Sequence, residues 1–153
     1  MEENAPQSCD VLIIGAGAAG MMCAMEAGKR GRSVVILEQA KAAGRKIRIS
    51  GGGRCNFTNI HTGPEHFVSD NPRFCISALS RYQPSDFIRW VEAEGIAYHE
   101  KTLGQLFCDD SAAQIVGMLT QGCAHAGVRI HTHNRVDTVQ RLEGGFLVRT
   151  ETG

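Results

Sequence analysis

The sequence predicts an α/β fold with a doubly wound parallel sheet, and three features of the chain point to that class. Two short apolar runs, residues 11–14 and 34–37, stand on either side of a small-residue segment with a helical pattern. A third candidate strand, residues 128–131, follows an amphipathic stretch of helical period. Parallel strands joined by crossover helices produce this order of segments.

A glycine-rich turn separates the first apolar run from the helix that follows it. Residues 15–20 read Gly-Ala-Gly-Ala-Ala-Gly, the G-x-G-x-x-G spacing of dinucleotide-binding folds. Gly15 allows the tight turn, Gly17 lets the backbone approach a pyrophosphate, and Gly20 lets the helix pack close to the strand. The pyrophosphate would lie on free N–H groups at the helix N-terminus. The residues of this turn that we expect to bind the cofactor are Gly15, Gly17, Ala18, Ala19 and Gly20.

An acidic residue ends the second apolar run. Glu38 follows Gly20 by 18 residues, where a carboxylate accepts hydrogen bonds from an adenosine ribose. Its charge would repel a 2′-phosphate, which argues against NADP. A glycine turn without a ligand would leave both the glycine spacing and Glu38 unexplained. We therefore predict a dinucleotide site that includes Glu38 and the adjacent Gln39.

A second unusual stretch, residues 44–59, reads Gly-Arg-Lys-Ile-Arg-Ile-Ser-Gly-Gly-Gly-Arg-Cys-Asn-Phe-Thr-Asn. Three cations precede its Ser-Gly-Gly-Gly turn and a fourth follows it. Backbone N–H groups in such a turn can form an anion-binding nest, and Asn56 and Asn59 are placed to brace it through hydrogen bonds to the backbone. The alternative is a flexible, solvated basic loop. The expected cofactor contacts in this stretch are Arg45, Lys46, Ser50, Gly51, Gly52, Arg54, Cys55 and Asn56.

The glycine turn and the basic stretch together resemble a known family, the BaiN-like FAD-binding flavoproteins. These proteins are also called the aminoacetone oxidase family or NAD(P)/FAD-dependent oxidoreductases. The resemblance continues through residues 100–111 but departs from the family pattern at Gln105, Cys108 and Asp110, where Arg, Pro and Ser are usual. It implies FAD as the cofactor. Members of the family are longer than this chain, which resembles only their N-terminal portion.

The chain between the second and third strands is longer than a crossover needs, so we predict an insert over about residues 40–110. Asn71 and Pro72 are a favourable N-cap and first residue for a helix within it. The expected elements are a helix over 71–82, a helix over 84–95 with Phe87 and Trp90 in the core, and a short extended piece over 96–98.

A third helix leads out of the insert into the third strand. It begins at Ser111, where Gln114 completes a capping box, and Gly127 ends it. Its apolar residues recur with helical period, as expected of a helix that packs one face on a core. The parallel strand at residues 128–131 follows directly.

A β-hairpin is predicted at the end of the chain. Residues 135–140 and 145–150 alternate apolar and polar residues on either side of a Glu-Gly-Gly turn. By resemblance to such flavoproteins, Val136 is expected at the cofactor. The sequence thus predicts a Rossmann-like three-layer FAD-binding domain over residues 10–153, with a parallel sheet, a helical insert and a C-terminal β-hairpin. It is the N-terminal part of that domain and is incomplete.

Composition and charge limit the classes of partner that the protein is expected to bind. The 16 basic residues balance the 16 acidic ones, which predicts neither a nucleic-acid partner nor a membrane surface. Residues 1–9, which we expect to be disordered, contain no Lys or Arg and so do not form a signal peptide. The uncharged run at residues 11–25 is shorter than the roughly 20 apolar residues that span a bilayer. These features predict a cytoplasmic protein.

Cysteine and histidine spacing predicts neither a disulfide framework nor a metal site. The six cysteines contain no C-x-x-C pair. We expect Cys23 and Cys123 to be small core residues. Cys55 lies in a polar loop and is the cysteine that we single out from the other five. His131 and His133 share a strand face but have no Cys or carboxylate ligand near them in sequence, so no metal is assigned.

The resulting functional prediction is the FAD-binding part of a flavin-dependent oxidoreductase. The flavin would carry out hydride or electron transfer while the protein positions it, and NAD(P)H is a candidate reductant in a full-length protein. Two alternatives stay open: a truncated, non-enzymatic dinucleotide-binding fragment, and an NAD-binding domain. The sequence identifies no catalytic residue and no substrate.

Overall fold

A computed structural model describes residues 7–151, so residues 1–6 of the predicted disordered N-terminus lie outside the described part. The chain forms two compact units, which we call the sheet unit (Met1–Lys46 with Leu119–Gly153) and the insert unit (Ile47–Met118). In chain order the elements are β1 (Val11–Ile14), α1 (Ala18–Lys29), β2 (Val34–Leu37), α2 (Arg45–Ile49), a 3₁₀ helix (Ser50–Gly53), β3 (Asn56–Asn59), a second 3₁₀ helix (Pro64–His66), α3 (Ile76–Arg81), α4 (Pro84–Ala93), β4 (Tyr98–Glu100), β5 (Gln105–Cys108), α5 (Ala112–His125), β6 (Arg129–His131), β7 (Val136–Leu142) and β8 (Gly145–Thr150).

The sheet unit is built on the predicted parallel sheet, with strand order β1-β2-β6. β1 pairs with β2 in register from Val11↔Val34 to Ile14↔Leu37, and β2 pairs with β6 at Leu37↔His131. All four residues of the central strand β2 are buried. A parallel strand covered on both faces reads as a continuous apolar run, which is why β2 was recognisable from its sequence.

Helix α1 supplies much of the core of this unit. Its residues Met21, Ala24 and Met25 are buried and α1 packs against β1 and β2. Cys123 is also buried, as predicted, and its thiol donates to the Met21 carbonyl oxygen at 3.6 Å. The same prediction for Cys23 is wrong, because Cys23 lies on the exposed face of α1.

The C-terminal hairpin has the predicted form. β7 and β8 pair antiparallel up to Leu142↔Gly145. Glu143 and Gly144 form the connection, and Gly144 has φ +88°. Two-residue hairpin loops require positive φ, which glycine adopts without strain. The register shifts between Val136 and Thr138, where a bulge bends β7 at its first residues.

The insert unit contains a three-stranded antiparallel sheet, order β3-β5-β4, that the sequence did not predict. Its strands are only three or four residues long, and β3 reads Asn-Phe-Thr-Asn, too short and polar for a clear alternation. Phe57 on β3 contacts the ring of Phe87 at 6.0 Å between centroids, and Phe87 contacts Trp90 at 5.9 Å. Phe87 and Trp90 are half-buried and not core residues, which corrects the prediction.

The helices of the insert agree with prediction in part. α3 begins at Ile76 and not at Asn71, because the Asn71 side chain accepts from the Arg73 N–H at 3.2 Å and makes a turn first. α4 ends before Gly95, as predicted, and Gly95 has φ +66°. The extended piece is β4, which begins two residues later than predicted.

The start of α5 has half of the predicted capping box. The Ser111 N–H donates to Gln114 Oε1 at 3.5 Å, but the Ser111 hydroxyl accepts from the Ala113 N–H at 3.1 Å and not from that of Gln114. α5 ends at His125, and Gly127, the predicted terminating residue, follows it with φ +71°. Across residues 7–151, no helix has the length and apolar character needed to cross a membrane.

Candidate dinucleotide-binding site

The turn after β1 has the geometry that the glycine spacing predicts. The Gly15 N–H donates to the Leu37 carbonyl oxygen at 2.8 Å, and Gly15 has φ +101°. A Cβ atom at Gly20 would lie 2.1 Å from the Gly15 carbonyl oxygen and 3.3 Å from Ile13 Cγ2. Only glycine lets α1 approach β1 this closely, so the packing role predicted for Gly20 is confirmed.

The N-terminus of α1 offers unpaired N–H groups to an anion. Gly17 is its N-cap and has extended backbone, with φ −85° and ψ −178°, and no side chain caps the helix. Its carbonyl oxygen accepts from the Met21 N–H at 2.9 Å, while the N–H groups of Ala18, Ala19 and Gly20 have no protein partner within residues 7–151. The first turn contains no acidic residue that would repel an anion.

Space at this helix terminus also fits a ligand. No atom lies within 4 Å of the position that a Cβ atom would take at Gly17, and residues 17–19 are exposed. Unpaired N–H groups and the helix dipole favour a phosphate at such a place. The residues present therefore fit the pyrophosphate of a dinucleotide.

Glu38 holds the two loops at the carboxyl ends of β1 and β2 together. Its Oε2 accepts from the Ala16 N–H and its Oε1 from the Ala40 N–H, both at 2.8 Å. The Ala16 carbonyl oxygen accepts from the Gly44 N–H at 2.8 Å. Both the N–H and the carbonyl group of the fully buried Ala16 are therefore hydrogen-bonded. Each carboxylate oxygen keeps a further lone pair that can accept from a ribose hydroxyl.

These two hydrogen bonds from the backbone to Glu38 are a feature that the sequence did not predict. The spacing of Glu38 indicated a ribose ligand, and nothing in the spacing indicated that Ala16 and Ala40 would donate to it. The signal that exists is structural: adjacent parallel strands end at the same sheet edge, so a carboxylate after one strand reaches the loop after the other. Glu38 thus positions the glycine turn as well as facing the site.

The other predicted residues of the sheet unit lie near this edge. Gln39, Arg45 and Lys46 are exposed, and within residues 7–151 neither cation has an ion-pair partner. The His133 N–H donates to the Ala40 carbonyl oxygen at 3.0 Å. That bond ties the segment just before the half-buried Val136 to the loop that follows β2.

The second glycine turn belongs to the insert unit, and its backbone conformation is what requires glycine there. Gly51, Gly52 and Gly53 have φ of +56°, +67° and +88°, a left-handed run that other residues adopt only at a cost. The Ser50 hydroxyl donates to the Ile47 carbonyl oxygen at 2.7 Å. The turn is therefore a left-handed run, and its role as an anion site stays a prediction beside that of a solvated basic loop.

The residues after this turn are placed differently from what we expected. Asn59 donates from Nδ2 to the Leu103 carbonyl oxygen and accepts at Oδ1 from the His61 N–H, both at 2.8 Å. It braces the far end of β3 and not the glycine turn, which corrects that prediction. Arg54 and Asn56 are exposed, as a cofactor contact requires, whereas Cys55 is buried.

An unpredicted pair of side chains lies on the same sheet of the insert unit. His99 Nδ1 and Asp109 Oδ1 are 2.7 Å apart, and the imidazole stacks on the Phe107 ring at 6.2 Å between centroids. Lys101 Nζ lies 5.4 Å from the centroid of the same ring. The histidine was uninformative in the sequence because Asp109 is ten residues away and reaches it only across the β4–β5 pair.

Comparison with known proteins agrees with this geometry. Residues 9–153 match the Rossmann domain of HI0933-like proteins. The chain is 54% identical to the ribosomal RNA dihydrouridine synthase of Escherichia coli (strain K12), over 91% of this chain and 35% of that protein. It is 50% identical to the synthase of the same description from Haemophilus influenzae, over 94% of this chain and 36% of that protein.

A more distant relative is the 3-dehydro-bile acid delta(4,6)-reductase of Clostridium scindens, 28% identical over 91% of this chain and 34% of that protein. Glycine oxidase from Geobacillus kaustophilus shares the fold with a TM-score of 0.61 at 18% identity, over 95% of this chain and 52% of that one. The bacillithiol disulfide reductase of Staphylococcus aureus also shares the fold, with a TM-score of 0.56 at 15% identity, over 97% of this chain and 35% of that one.

The chain spans about a third of the length of the curated relatives it matches, 35% and 36% for the two synthases. The narrower resemblance to BaiN-like flavoproteins stays a prediction. The broader predictions, a Rossmann-like fold with a parallel sheet and FAD as the cofactor, agree with the family and with the fitted helix terminus. The chain therefore belongs to the HI0933-like family, as its FAD-binding Rossmann domain.

Proposed function

We propose that this chain is the FAD-binding part of a reductase that converts uridine in ribosomal RNA to dihydrouridine. The observation that carries the proposal is its identity of half or more to two ribosomal RNA dihydrouridine synthases, over nine-tenths of this chain. The bile acid reductase matches the same region at 28% identity. A ribosomal RNA substrate replaces the earlier expectation of no nucleic-acid partner. A balanced net charge does not prevent a local RNA-binding surface.

The first task of this chain in that function is to hold the pyrophosphate. The unpaired N–H groups of Ala18, Ala19 and Gly20 are the donors we assign to it, with the open side of Gly17 as the space for its oxygens. Charge-assisted hydrogen bonds of this kind contribute about 1.5–3 kcal/mol each. Arg45 and Lys46 are exposed cations without ion-pair partners in residues 7–151 and are assigned to the neutralisation of negative charge.

The second task is to orient the adenosine. Glu38 is already held by two backbone N–H groups, so its carboxylate is fixed before the ribose arrives. A fixed acceptor loses little side-chain entropy on binding, which favours affinity. Its negative charge supports FAD or NAD over a 2′-phosphorylated nucleotide.

The reduction adds a hydride and a proton across the C5–C6 double bond of the uracil ring. FAD, once reduced and bound, supplies hydride chemistry of this kind. We propose NAD(P)H as the reductant of the whole protein. Within this chain we assign no proton donor. The assigned residues bind and orient the cofactor.

The test is complementation by the full-length protein that contains this chain. It is expressed in Escherichia coli that lacks its own ribosomal RNA dihydrouridine synthase, and dihydrouridine is measured in purified ribosomal RNA by mass spectrometry. We expect the modification to return with the unaltered protein and with Lys29→Ala, an exposed change in the last turn of α1. We expect Gly17→Val to leave the RNA unmodified.

Two other outcomes separate the parts of the proposal. A full-length protein that purifies with FAD but leaves the RNA unmodified would show that the substrate is wrong while the cofactor assignment stands. A protein that binds NAD and not FAD under the same conditions would favour the NAD-binding alternative.

A further inference from the structure

Two buried cysteines lie on neighbouring strands of the insert-unit sheet. Cys55 directly precedes β3, and Cys108 is the last residue of β5. Their side chains are 5% and 0% exposed. No partner was foreseen for Cys55 from the sequence, because Cys108 is 53 residues away and stands where the resembling family has proline.

The backbone holds these two residues opposite each other. Asn56 and Phe107 are partners in the antiparallel β3–β5 pair, and the Cys108 N–H donates to the Arg54 carbonyl oxygen at 2.9 Å. Cys55 therefore lies between two points at which its strand is bonded to the strand end that carries Cys108. Cys55 itself has left-handed backbone, with φ +55°, and its N–H donates to the Ser50 carbonyl oxygen at 3.0 Å, so it lies beside Cys108 at the end of the ladder and not within it.

This placement has the dimensions of a disulfide. The 2.9 Å hydrogen bond joins the peptide group between Arg54 and Cys55 to the amide of Cys108, so only that bond and one peptide plane separate the two Cα atoms, a span of the order of the about 4.4–6.8 Å that disulfides need. Burial raises the pKa of the Cys108 thiol to about 11, and the nearby Cys55 thiol adds to that rise, which also indicates that the two sulfurs are close. Burial likewise raises the pKa of Cys55, and a hydrogen bond from Ser50 opposes it.

We propose that Cys55 and Cys108 are a redox pair, which closes to a cross-strand disulfide in the presence of an oxidised low-molecular-weight disulfide. In the first step one thiol loses its proton and attacks the external disulfide, which gives a mixed disulfide and releases one small thiolate. The second cysteine then attacks the protein sulfur of the mixed disulfide and releases the other. The balance is two cysteine thiols and one external disulfide in, one protein disulfide and two small thiols out.

Accessibility orders the two steps. Cys55 is the less completely buried of the pair, 5% exposed against 0% for Cys108, and it lies two residues after the glycine turn. We assign the first attack to Cys55 and the resolving attack to Cys108. Because the thiolate is the nucleophile and both thiols are held protonated by burial, closure is slow at neutral pH and accelerates with rising pH.

The structural consequence concerns the second glycine turn. A bond between Cys55 and Cys108 would fix the residue after Gly53 and Arg54 to β5 by a covalent link. The backbone of a run of glycines is the most costly to order, so the link would restrict the Ser50–Gly53 turn in particular. Oxidation is thus expected to rigidify this turn within the insert unit.

Peptide mapping tests the proposal. The 153-residue chain is incubated with mixtures of reduced and oxidised glutathione, free thiols are blocked with iodoacetamide, and the protein is cleaved after Lys and Arg and before Asp. This cleavage puts each of the six cysteines on a separate peptide. We expect one cross-linked species, residues 55–69 joined to residues 102–108, as the dominant disulfide, with a formation rate that rises about tenfold per pH unit from pH 7 to 9.

Variants distinguish the pair from chance oxidation. In Cys108→Ser the mixed glutathione disulfide at Cys55 should persist, because no resolving thiol remains. Cys23→Ser, which removes an exposed thiol on α1, should leave the cross-link unchanged. The proposal is overturned if the unaltered chain, folded by circular dichroism, keeps both thiols alkylatable at oxidised-to-reduced ratios that glutathionylate Cys23, or if Cys55 pairs with a different cysteine.

Discussion

The two glycine turns of this chain look alike in sequence but have different physical causes. In the sheet unit, Gly17 has an ordinary extended backbone with empty space beside it, and Gly20 lies against the Gly15 carbonyl oxygen. In the insert unit, the glycines at 51–53 all have left-handed backbone. In the first turn, Gly17 and Gly20 make room, for a ligand and for a helix, and Gly15 supplies a positive φ. In the second turn all three glycines supply a positive φ, and Gly51 also leaves room for the Phe107 ring.

Glycine spacing alone does not distinguish these two uses of the residue. A glycine with ordinary backbone at a helix N-terminus leaves the unpaired N–H groups there open to an anion. A glycine with positive φ is explained by the chain alone. The mutations below separate the two cases, since the first should change binding without stability and the second should change stability.

The largest effect is expected from Gly17→Val in the full-length protein. Its φ of −85° suits valine, and no atom lies within 4 Å of the new Cβ, so the fold should be unaffected. The side chain would occupy the space of the pyrophosphate and cost at least two charge-assisted hydrogen bonds, each worth about 1.5–3 kcal/mol. We expect FAD affinity to fall at least a hundredfold by flavin titration, with an unchanged melting temperature. Parental affinity would mean that the turn holds no phosphate.

Gly51→Ala should destabilise the second turn, with Gly52→Ala as its matched control. The new Cβ at Gly51 would lie 2.7 Å from Phe107 Cε1, whereas that at Gly52 meets nothing within 4 Å. Both changes carry left-handed strain of about 1–2 kcal/mol, and Gly51→Ala adds overpacking of about 1–3 kcal/mol. Urea unfolding should show the larger loss in unfolding free energy for Gly51→Ala. If both variants lose the same unfolding free energy, the close approach of Gly51 to Phe107 does not contribute to stability.

Glu38→Ala should affect both binding and stability, because Glu38 belongs to the site and to its support. It leaves the Ala16 and Ala40 N–H groups without their acceptor. We expect the free energy of unfolding to fall by about 1–3 kcal/mol, which is the cost of leaving a buried N–H donor without its acceptor. Thermal unfolding without cofactor measures this directly. Gln39→Ala, an exposed neighbour, is the control, and an unchanged apoprotein after Glu38→Ala would show that the two bonds carry no stability.

The smallest effect is expected from Lys46→Ala. Lys46 is exposed and has no ion-pair partner within residues 7–151, so its removal should not change stability. One charge-assisted bond to the cofactor is worth about 1.5–3 kcal/mol, which predicts FAD binding weakened about tenfold or more. Titration at low and at high salt measures the loss and its screening. If affinity and its salt dependence match those of Lys29→Ala, Lys46 is merely solvated.

The sheet unit was predictable because its signals are local. β1 and β2 are continuous apolar runs, the helices have clear periods, and Gly127 and the Glu-Gly-Gly turn mark ends that depend on a few neighbouring residues. The insert sheet was not predictable, since β3, β4 and β5 are short and are stabilised by pairing between residues up to about fifty positions apart. α3 was predicted too long because Asn71 caps a turn and a helix equally well in sequence.

The dinucleotide fold follows from residue types and their spacing, because glycine spacing, strand hydrophobicity and a carboxylate after the second strand are properties of separation along the chain. Three contacts follow only from the folded chain: Glu38 accepts from Ala16 and Ala40, Gly51 lies against Phe107, and the residue before Cys55 is hydrogen-bonded to Cys108. Each of these contacts joins residues whose neighbourhood depends on strand register. Register is set by the packing of the whole unit, which no local pattern encodes.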